Sequence, residues 1–237
     1  MQKRILGRDL YIPLDAYKAT RRIEVRLLKR YLDVKPGEKL LDIGSGTGYW
    51  TEYLSGPAFT VGLDIMWRDT AIAARRHTTP HSVFALGDAE KLPFASGVFD
   101  KVFGVCSVEH IPDNTAAFAE FARCLKRGGV LALTLDSLNY AAISERKRQE
   151  HARMYHVAHL YDVPHITRIM NGAGFDVTHT QYLLCSPLSH WLNQVIVRNS
   201  KFQYLFFPIS YPLTIFSDTY FGRKDQGWKL AVRAIKR

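Results

Sequence analysis

Short apolar runs alternate with amphipathic stretches along the first 136 residues of the chain. The runs have the length of buried strands, and they lie at Lys39–Ile43, Phe59–Leu63, Val83–Leu86, Lys101–Val105 and Val130–Leu135. Helical stretches separate them, at Tyr49–Leu54, Ala71–Arg76 and Thr115–Lys126. In the last of these, Phe118, Phe121 and Leu125 recur at helical spacing and Gly128-Gly129 is expected to end the helix. Strands that alternate with helices predict βαβ units and a parallel sheet.

The second half of the chain follows this alternation less regularly. The pattern predicts a helix at His159–Ala173 and strands at Asp176–Leu184 and Trp228–Ile235. Residues 137–158 and 185–225 do not fit, and 1–35 holds an amphipathic helix predicted at Asp15–Leu32. We therefore expect one domain, 1–237, with a core at 36–136 and these three regions as lid elements over the carboxyl edge of the sheet. The predicted fold is an α/β, Rossmann-like, seven-stranded and mostly parallel sheet with helices on both faces.

The longest apolar stretch, Phe202 to Phe216, is too short to span a bilayer, which takes roughly 20 helical residues. Pro208 and Pro212 are also expected to interrupt a helix there. No transmembrane segment is predicted. Three interpretations stay open for this stretch, which are a hydrophobic lid, a dimer interface and a peripheral contact with an anionic membrane.

Composition and charge narrow the class of protein only slightly. Of 237 residues, 47% are hydrophobic and 23% are charged, which is typical of a globular protein. Three cysteines without C-x-x-C spacing do not indicate a disulfide framework, and the opening residues lack a secretory signal, so we expect a cytoplasmic protein. The net charge of +10 is compatible with nucleic acid, anionic lipid or an acidic substrate, and equally with a basic surface that has no specific partner.

A glycine-rich turn follows the first strand of the core. Gly44, Gly46 and Gly48 stand at alternate positions, and Asp64 ends the next strand twenty residues after Gly44. A carboxylate there can accept hydrogen bonds from both hydroxyls of a ribose. The dinucleotide pattern G-x-G-x-x-G would need glycine at position 49, where the chain has Tyr49. The turn therefore predicts a nucleoside cofactor and disfavours NAD.

Four motifs in order resemble the class I S-adenosylmethionine-dependent methyltransferases, in particular the group called methyltransferase type 11. They cover about residues 38–136. The motifs are Leu40 to Gly48 with Asp64, Phe84 to Phe94, Phe99 to Phe103 with Ser107 to Ile111, and Leu125 to Leu131. The resemblance implies S-adenosyl-L-methionine as the cofactor and methyl transfer as the reaction.

The resemblance also implies the cofactor-binding residues. Gly44, Ser45 and Gly46 would face the methionine part of the cofactor. Asp64 would hold the ribose and Ile65 the adenine face, Asp88 and Ala89 would bind the adenine amino group, and Cys106 and Ser107 would lie near the sulfonium. Asp42 is expected either to organise the loop or to be a structural carboxylate bonded to backbone.

The sulfonium methyl group is already activated, so the main task of the protein is to position the acceptor. A general base is needed only where the acceptor still carries its proton. His110 is the candidate base, and a structural contact in a turn is the alternative. Some ubiquinone-pathway O-methyltransferases carry Glu-x-x-Glu-His here and are thought to bind a divalent cation through it. This chain has Glu109 and His110 but Cys106 at the first position, and a hard cation prefers oxygen ligands, so no required metal is expected.

The acceptor is inferred from residues 185–225, which are rich in aromatic side chains. Such side chains build apolar pockets and also suit a membrane interface. We expect a small-molecule or lipid-like acceptor, methylated most plausibly at oxygen. The rival is a nucleic-acid methyltransferase, motivated by the basic charge, but the chain has Cys106-Ser107-Val108-Glu109 where amino-nitrogen methyltransferases generally carry Asn/Asp-Pro-Pro-aromatic.

Overall fold

The computed structural model describes residues 2–5, 8–11, 19–141, 143–198 and 203–237, and it describes side chains within 19–195 and 205–237. The elements run β1 (Gln2–Ile5), β2 (Arg8–Tyr11), α1 (Ala19–Leu32), β3 (Lys39–Ile43), α2 (Tyr49–Ser55), β4 (Phe59–Asp64), α3 (Trp67–His77), β5 (Ser82–Leu86), β6 (Phe99–Val105), α4 (Asn114–Cys124), β7 (Leu125–Asn139), α5 (Glu145–Tyr155), α6 (Val163–Gly172), β8 (Phe175–Leu183), α7 (Pro187–Arg198), α8 (Gln203–Phe221) and β9 (Gly227–Lys236).

Seven strands form one sheet in the order β5-β4-β3-β6-β7-β9-β8. The pairs from β5 to β7 are parallel, and β9 is antiparallel to both of its neighbours. This confirms the predicted Rossmann-like, mostly parallel sheet. The order reverses direction between β3 and β6, and in open α/β sheets ligands bind at such a switch point, outside the carboxyl ends of the strands. The pair β1 and β2 forms a separate two-stranded antiparallel sheet.

Both faces of the sheet are covered by apolar clusters. On one face, Phe118 and Phe121 of α4 and Ile166 of α6 are fully buried against the sheet. On the other face, Leu28 and Leu32 of α1 are buried in a second cluster with strand residues. Helix α1, which lies in the predicted lid 1–35, is thus a packing layer of the core. The lid role of 1–35, 137–158 and 185–225 stays a prediction.

The prediction for residues 185–225 was wrong about the prolines. Helix α8 contains Pro208 and Pro212 in its interior. A proline leaves the carbonyl group four residues earlier without its intrahelical donor. Both prolines lie on the exposed side of the helix, where such a carbonyl group can be hydrated. None of the helices in the described ranges is both long enough and apolar enough to cross a membrane.

Helix α4 and strand β7 meet earlier than predicted. The helix ends at Cys124 and the strand begins at Leu125, so Gly128-Gly129 lies inside a strand and does not end the helix. The register shifts between Phe99 and Lys101 opposite this segment, and Gly128 has φ +74°. A bulge accommodates extra residues of this kind. Helix α6 begins later than predicted, because Asp162 caps it by accepting a hydrogen bond from the His165 backbone N–H.

Candidate active site

A cavity of about 590 Å³ opens at the carboxyl ends of β3, β4, β5 and β6. Its walls bring together eight of the residues predicted from the sequence, which are Gly44, Asp64, Ile65, Asp88, Ala89, Cys106, Ser107 and His110. Further lining residues were not predicted: Ile43, Leu63, Met66, Gly87, Glu90, Ile111, Pro112 and His156. Most of these adjoin a predicted residue in sequence, whereas His156 follows α5 and is brought in only by the fold.

The glycine turn is fixed to the neighbouring strand and leaves space beside its backbone. The backbone N–H groups of Gly44 and Ser45 both donate to the Leu63 carbonyl group, at 2.8 and 3.0 Å. Gly44 has φ +69°, and a Cβ atom there would lie 2.4 Å from Cβ of Ser107. A Cβ atom at Gly46 would meet nothing within 4 Å. Any side chain at position 44 would therefore clash with Ser107, so the turn requires glycine there. The space beside Gly46 is open to a ligand.

Asp64 connects the loops that follow β3 and β4 in the cavity wall. Its carboxylate accepts hydrogen bonds from the backbone N–H groups of Gly46, at 2.7 Å, and Met66, at 2.8 Å. A carboxylate has about four acceptor positions, so Asp64 retains capacity for two hydroxyl groups. The neighbouring Ile65 side chain is 66% exposed, which leaves an apolar surface next to this carboxylate.

Asp88 and Ala89 lie on the same side of the cavity, after β5. Asp88 is exposed, and one of its carboxylate oxygens accepts from the Glu90 backbone N–H at 2.9 Å. Glu90 in turn accepts from the Asp113 backbone N–H at 2.8 Å. This chain of bonds connects the loop after β5 to the start of α4 and so fixes Asp88 relative to the cavity.

Three of the predicted cofactor residues, Asp42, Ser45 and Gly46, do not line the cavity. Ser45 is buried, and its Oγ has no hydrogen-bond partner among the described residues. Asp42 is 2% exposed and accepts from Thr51 Oγ at 2.6 Å, which ties β3 to α2. Burial raises the pKa of Asp42 to about 8, the Thr51 hydrogen bond acting against this. Its contacts favour the interpretation of Asp42 as a structural carboxyl group.

His110 stands in a short 3₁₀ turn, Val108–His110, after β6. Its Nδ1 atom lies 3.1 Å from the backbone carbonyl oxygen of His156. A carbonyl oxygen only accepts, so this contact requires the proton on Nδ1. In a neutral ring, Nε2 is then unprotonated and able to accept a proton.

Behind the cavity wall lies a buried cluster of charged groups around Lys229. Its ammonium group donates hydrogen bonds to Asp136 and, at 3.1 Å, to Cys106 Sγ. His151 Nε2 lies 2.7 Å from the second oxygen of Asp136. The Cys106 thiol donates to Glu24 at 3.2 Å. Because Cys106 also lines the cavity, it connects the cluster with the site.

The cluster alters the protonation of its members. Burial alone would raise the pKa of Asp136, but the charge of Lys229 and the hydrogen bond from His151 hold it below its usual value. Burial and the nearby Asp136 charge raise the pKa of Glu109 to about 8, and its Oε2 atom has no partner in the part of the chain that is described. Burial, with the Glu24 charge, raises the pKa of Cys106 to about 12.

The same cluster bears on metal binding. Cys106, Glu109 and Asp136 each place a potential ligand atom within 4.8 Å of the others. The ammonium group of Lys229, in contact with two of them, supplies positive charge to the group. The expectation that no metal is required stays a prediction. Sequence reasoning missed Lys229, Asp136 and Glu24, although Asp136 could have been found as an acidic residue at the carboxyl end of a predicted buried strand.

Residues 41–133 match the family described as the methyltransferase domain. Phosphoethanolamine N-methyltransferase 2 of Caenorhabditis elegans is 30% identical over 66% of this chain and 37% of that protein. Demethylmenaquinone methyltransferase of Mycolicibacterium vanbaalenii is 34% identical over 46% of each chain. The structure of Haemonchus contortus phosphoethanolamine N-methyltransferase 2 in complex with S-adenosyl-L-methionine superposes with a TM-score of 0.69, at 21% identity, over 91% of this chain and 52% of that one. The chain thus spans about half or less of these relatives.

The fold and the glycine-turn cavity define a Rossmann-like domain with a candidate nucleoside-binding site. The family match over residues 41–133 and the similar proteins support a class I S-adenosylmethionine-dependent methyltransferase domain, for which S-adenosylmethionine would be the cofactor. The residues present fit this cofactor. The open space beside Gly46 and the remaining acceptor capacity of Asp64 supply room and a polar group for it.

Proposed function

We propose that this chain transfers the methyl group of S-adenosylmethionine to a hydroxyl group of a small-molecule or lipid-like acceptor. The observation that carries the proposal is that Asp64, Asp88 and His110 line one and the same cavity. The similar proteins named above are a phosphoethanolamine and a demethylmenaquinone methyltransferase, which supports an acceptor of small or lipid-like type.

The proposed cofactor roles are those that the family resemblance implies. Asp64 would accept hydrogen bonds from the ribose hydroxyl groups, with Ile65 against the adenine face. Asp88 and the Ala89 backbone would bind the adenine edge. Gly44, Ser45 and Gly46 would surround the methionine part, and Cys106 and Ser107 would lie beside the reacting sulfur. Asp42 would keep the turn in place through Thr51.

When bound, the cofactor supplies an activated methyl group on a positively charged sulfur. With Cys106 and Ser107 beside the sulfur, the acceptor oxygen would receive this methyl group as the carbon–sulfur bond breaks. The proton of the acceptor hydroxyl group passes to His110 Nε2, which the Nδ1 contact with His156 keeps free to accept it. The remaining work of the chain is to hold the acceptor oxygen in line, about 3 Å from the methyl carbon.

The direct test is to incubate the chain with methyl-labelled S-adenosylmethionine and a cell extract, then to separate lipid, polar metabolite, protein and RNA. We expect label in the lipid or polar-metabolite fraction, in a product whose new methyl group is bonded to oxygen. Label in RNA would contradict the proposal and favour the nucleic-acid alternative. A product methylated at nitrogen or carbon would contradict the assigned acceptor atom.

The variant His110→Gln tests the general base. We expect the affinity for S-adenosylmethionine to change little, while the turnover number falls by about 10²–10⁴-fold, the usual contribution of a general base. His81→Gln is the matched control, because His81 is exposed and lies outside the cavity. Undiminished turnover in His110→Gln, or equal losses in both variants, would show that His110 takes no proton.

A further inference from the structure

Helix α8 exposes its apolar side and buries its polar side, the reverse of an ordinary surface helix. Leu205, Ile209, Pro212, Phe216 and Tyr220 follow one another at helical spacing on its exposed side, and we call them the α8 stripe. Ile209 is 68% exposed and Tyr220 is 70% exposed. The buried side of the helix carries Ser210, Thr214 and Ser217. A helix packed on a protein core normally buries its apolar side and exposes its polar side.

Ser217 and Asp218, near the end of α8, have polar partners before and within α7, and these bonds fix the orientation of the helix. Ser217 Oγ is hydrogen bonded to Ser186 Oγ, just before α7. Asp218 accepts from Ser189 Oγ and from the backbone N–H groups of Cys185 and Ser186. Turning the α8 stripe inward would break these bonds and leave buried polar groups unsatisfied. The apolar side therefore faces outward as a consequence of the packing.

Helix α7 adds to the exposed apolar area. Leu188, Trp191 and Val195 recur at helical spacing and are all exposed, Trp191 at 58%. Together with the α8 stripe and the exposed Phe206 and Phe221, these side chains include half of the large exposed apolar residues of the described chain. Contiguous exposed apolar area of this kind marks an interaction surface.

Charge decides which partner this surface suits. Helix α8 packs against α1, where Arg26, Lys29 and Arg30 are exposed and Arg26 is hydrogen bonded to Tyr211 of α8. The acidic residues of these two helices, Glu24 and Asp218, are both engaged in buried or half-buried bonds. The exposed charges beside the apolar surface are therefore cationic. A second copy of the chain would place like charges opposite one another across a two-fold interface.

We propose that helices α7 and α8 dock on an anionic lipid bilayer. The α8 stripe would enter the boundary between headgroups and acyl chains, with Trp191 and Tyr220 at headgroup level, and the basic side chains of α1 would contact the anionic headgroups. Helices α7 and α8 connect β8 to β9, and they leave β8 at its carboxyl end, on the side of the sheet where the cavity opens. Delivery of a lipid-borne acceptor from the bilayer to the cavity rests on the proposed function, whereas docking itself does not.

Flotation of the chain with vesicles tests the proposal. We expect binding to vesicles of phosphatidylcholine with phosphatidylglycerol, weaker binding to phosphatidylcholine alone, and loss of the difference in high salt. The variant Ile209→Glu should reduce partition by about tenfold or more, because it places a charge at the apolar boundary. Met154→Glu is the matched control, since Met154 is similarly exposed, at 69%, but lies on α5.

Each outcome has a distinct meaning. Unimpaired flotation of Ile209→Glu, or equal loss in both variants, would overturn the docking proposal. So would a wild-type chain that ignores vesicles and forms a dimer that Ile209→Glu dissociates in sedimentation. Circular dichroism confirms that each variant is folded. Binding of S-adenosylmethionine is measured in parallel by calorimetry, so failure of the cofactor site would count against the proposed function and leave docking intact.

Discussion

Replacing Lys229 by methionine should destabilise the chain strongly, because the ammonium group lies among buried acidic groups. Removing one partner of a buried ion pair typically costs about 3–5 kcal/mol. Two remaining contacts reduce this cost in the free energy of unfolding. Asp136 keeps His151 at 2.7 Å, and Glu24 keeps Arg21 at 3.0 Å. We therefore expect Lys229→Met to lower the free energy of unfolding by about 3 kcal/mol, the lower end of that range.

The double variant Asp136→Asn with Lys229→Met separates charge from packing. Removing the uncompensated carboxylate should restore at least about half of the lost free energy, since the two residues are in contact and couple. The loss in the single variant should also shrink as the pH falls and Asp136 takes up a proton. A carboxyl group whose pKa is depressed by folding stabilises the fold above its unfolded pKa and loses that contribution in acid.

Urea unfolding without cofactor, followed by far-ultraviolet circular dichroism, measures both variants. Lys35→Met is the control, because Lys35 pairs with Asp33 on the exposed surface, and surface pairs contribute little. Two results would refute the reasoning. One is a Lys229→Met variant as stable as the parent chain. The other is a double variant no more stable than the single one.

Three further predictions concern the glycine turn and the buried titratable groups. Gly44→Ala should weaken S-adenosylmethionine binding in calorimetry by about tenfold or more, whereas Gly97→Ala, which has a similar φ of +68° but no atom within 4 Å of the added Cβ, should not; equal effects would show that the Ser107 contact is irrelevant. The folded pKa of Asp42, about 8, lies above its ordinary value of 3.8. The contribution of Asp42 to the free energy of unfolding is therefore complete below pH 3.8. It is lost as the pH rises toward 8, by at most about 1.4 kcal/mol per pH unit. Asp42→Asn should flatten the stability–pH curve in this window, and an unchanged slope would contradict the assignment. Burial raises the pKa values of all three thiols, to about 12 for Cys106 and about 11 for Cys185, so the native chain should react slowly with Ellman's reagent at pH 8 and fully only after unfolding; rapid reaction of the folded chain would contradict this.

The parallel core and the nucleoside side of the cavity could be predicted because their signals are local. A buried strand of five residues, a glycine turn and an aspartate at the next strand end all lie within one βαβ unit, and the fold brings them together at the sheet edge. The same locality explains why Asp64 and Asp88 were found together with His110. Each follows a strand whose apolar run is visible in the sequence.

The buried cluster could not be predicted in this way, because its members come from distant parts of the chain. Lys229 and Asp136 are 93 residues apart, and Cys106 and Glu24 are 82 residues apart. No local pattern records such a pair. Helix α8 was missed for a different reason. Its prolines were expected to interrupt a helix, and no local pattern indicated that its small polar residues form the side that packs.

Cys106 belongs both to the cavity wall and to the buried cluster around Lys229, and its environment bears on the reaction. The thiol lines the cavity in which we place the activated methyl group, and a thiolate there would compete with the acceptor for that group. Burial and the charge of Glu24 keep Cys106 protonated, with a pKa of about 12, while its hydrogen goes to Glu24 and its sulfur accepts from Lys229. A protonated thiol is a poor nucleophile. The cluster therefore does more than stabilise the fold. On the proposed function, a protonated Cys106 would not intercept the methyl group, and transfer would pass directly to the acceptor in one displacement.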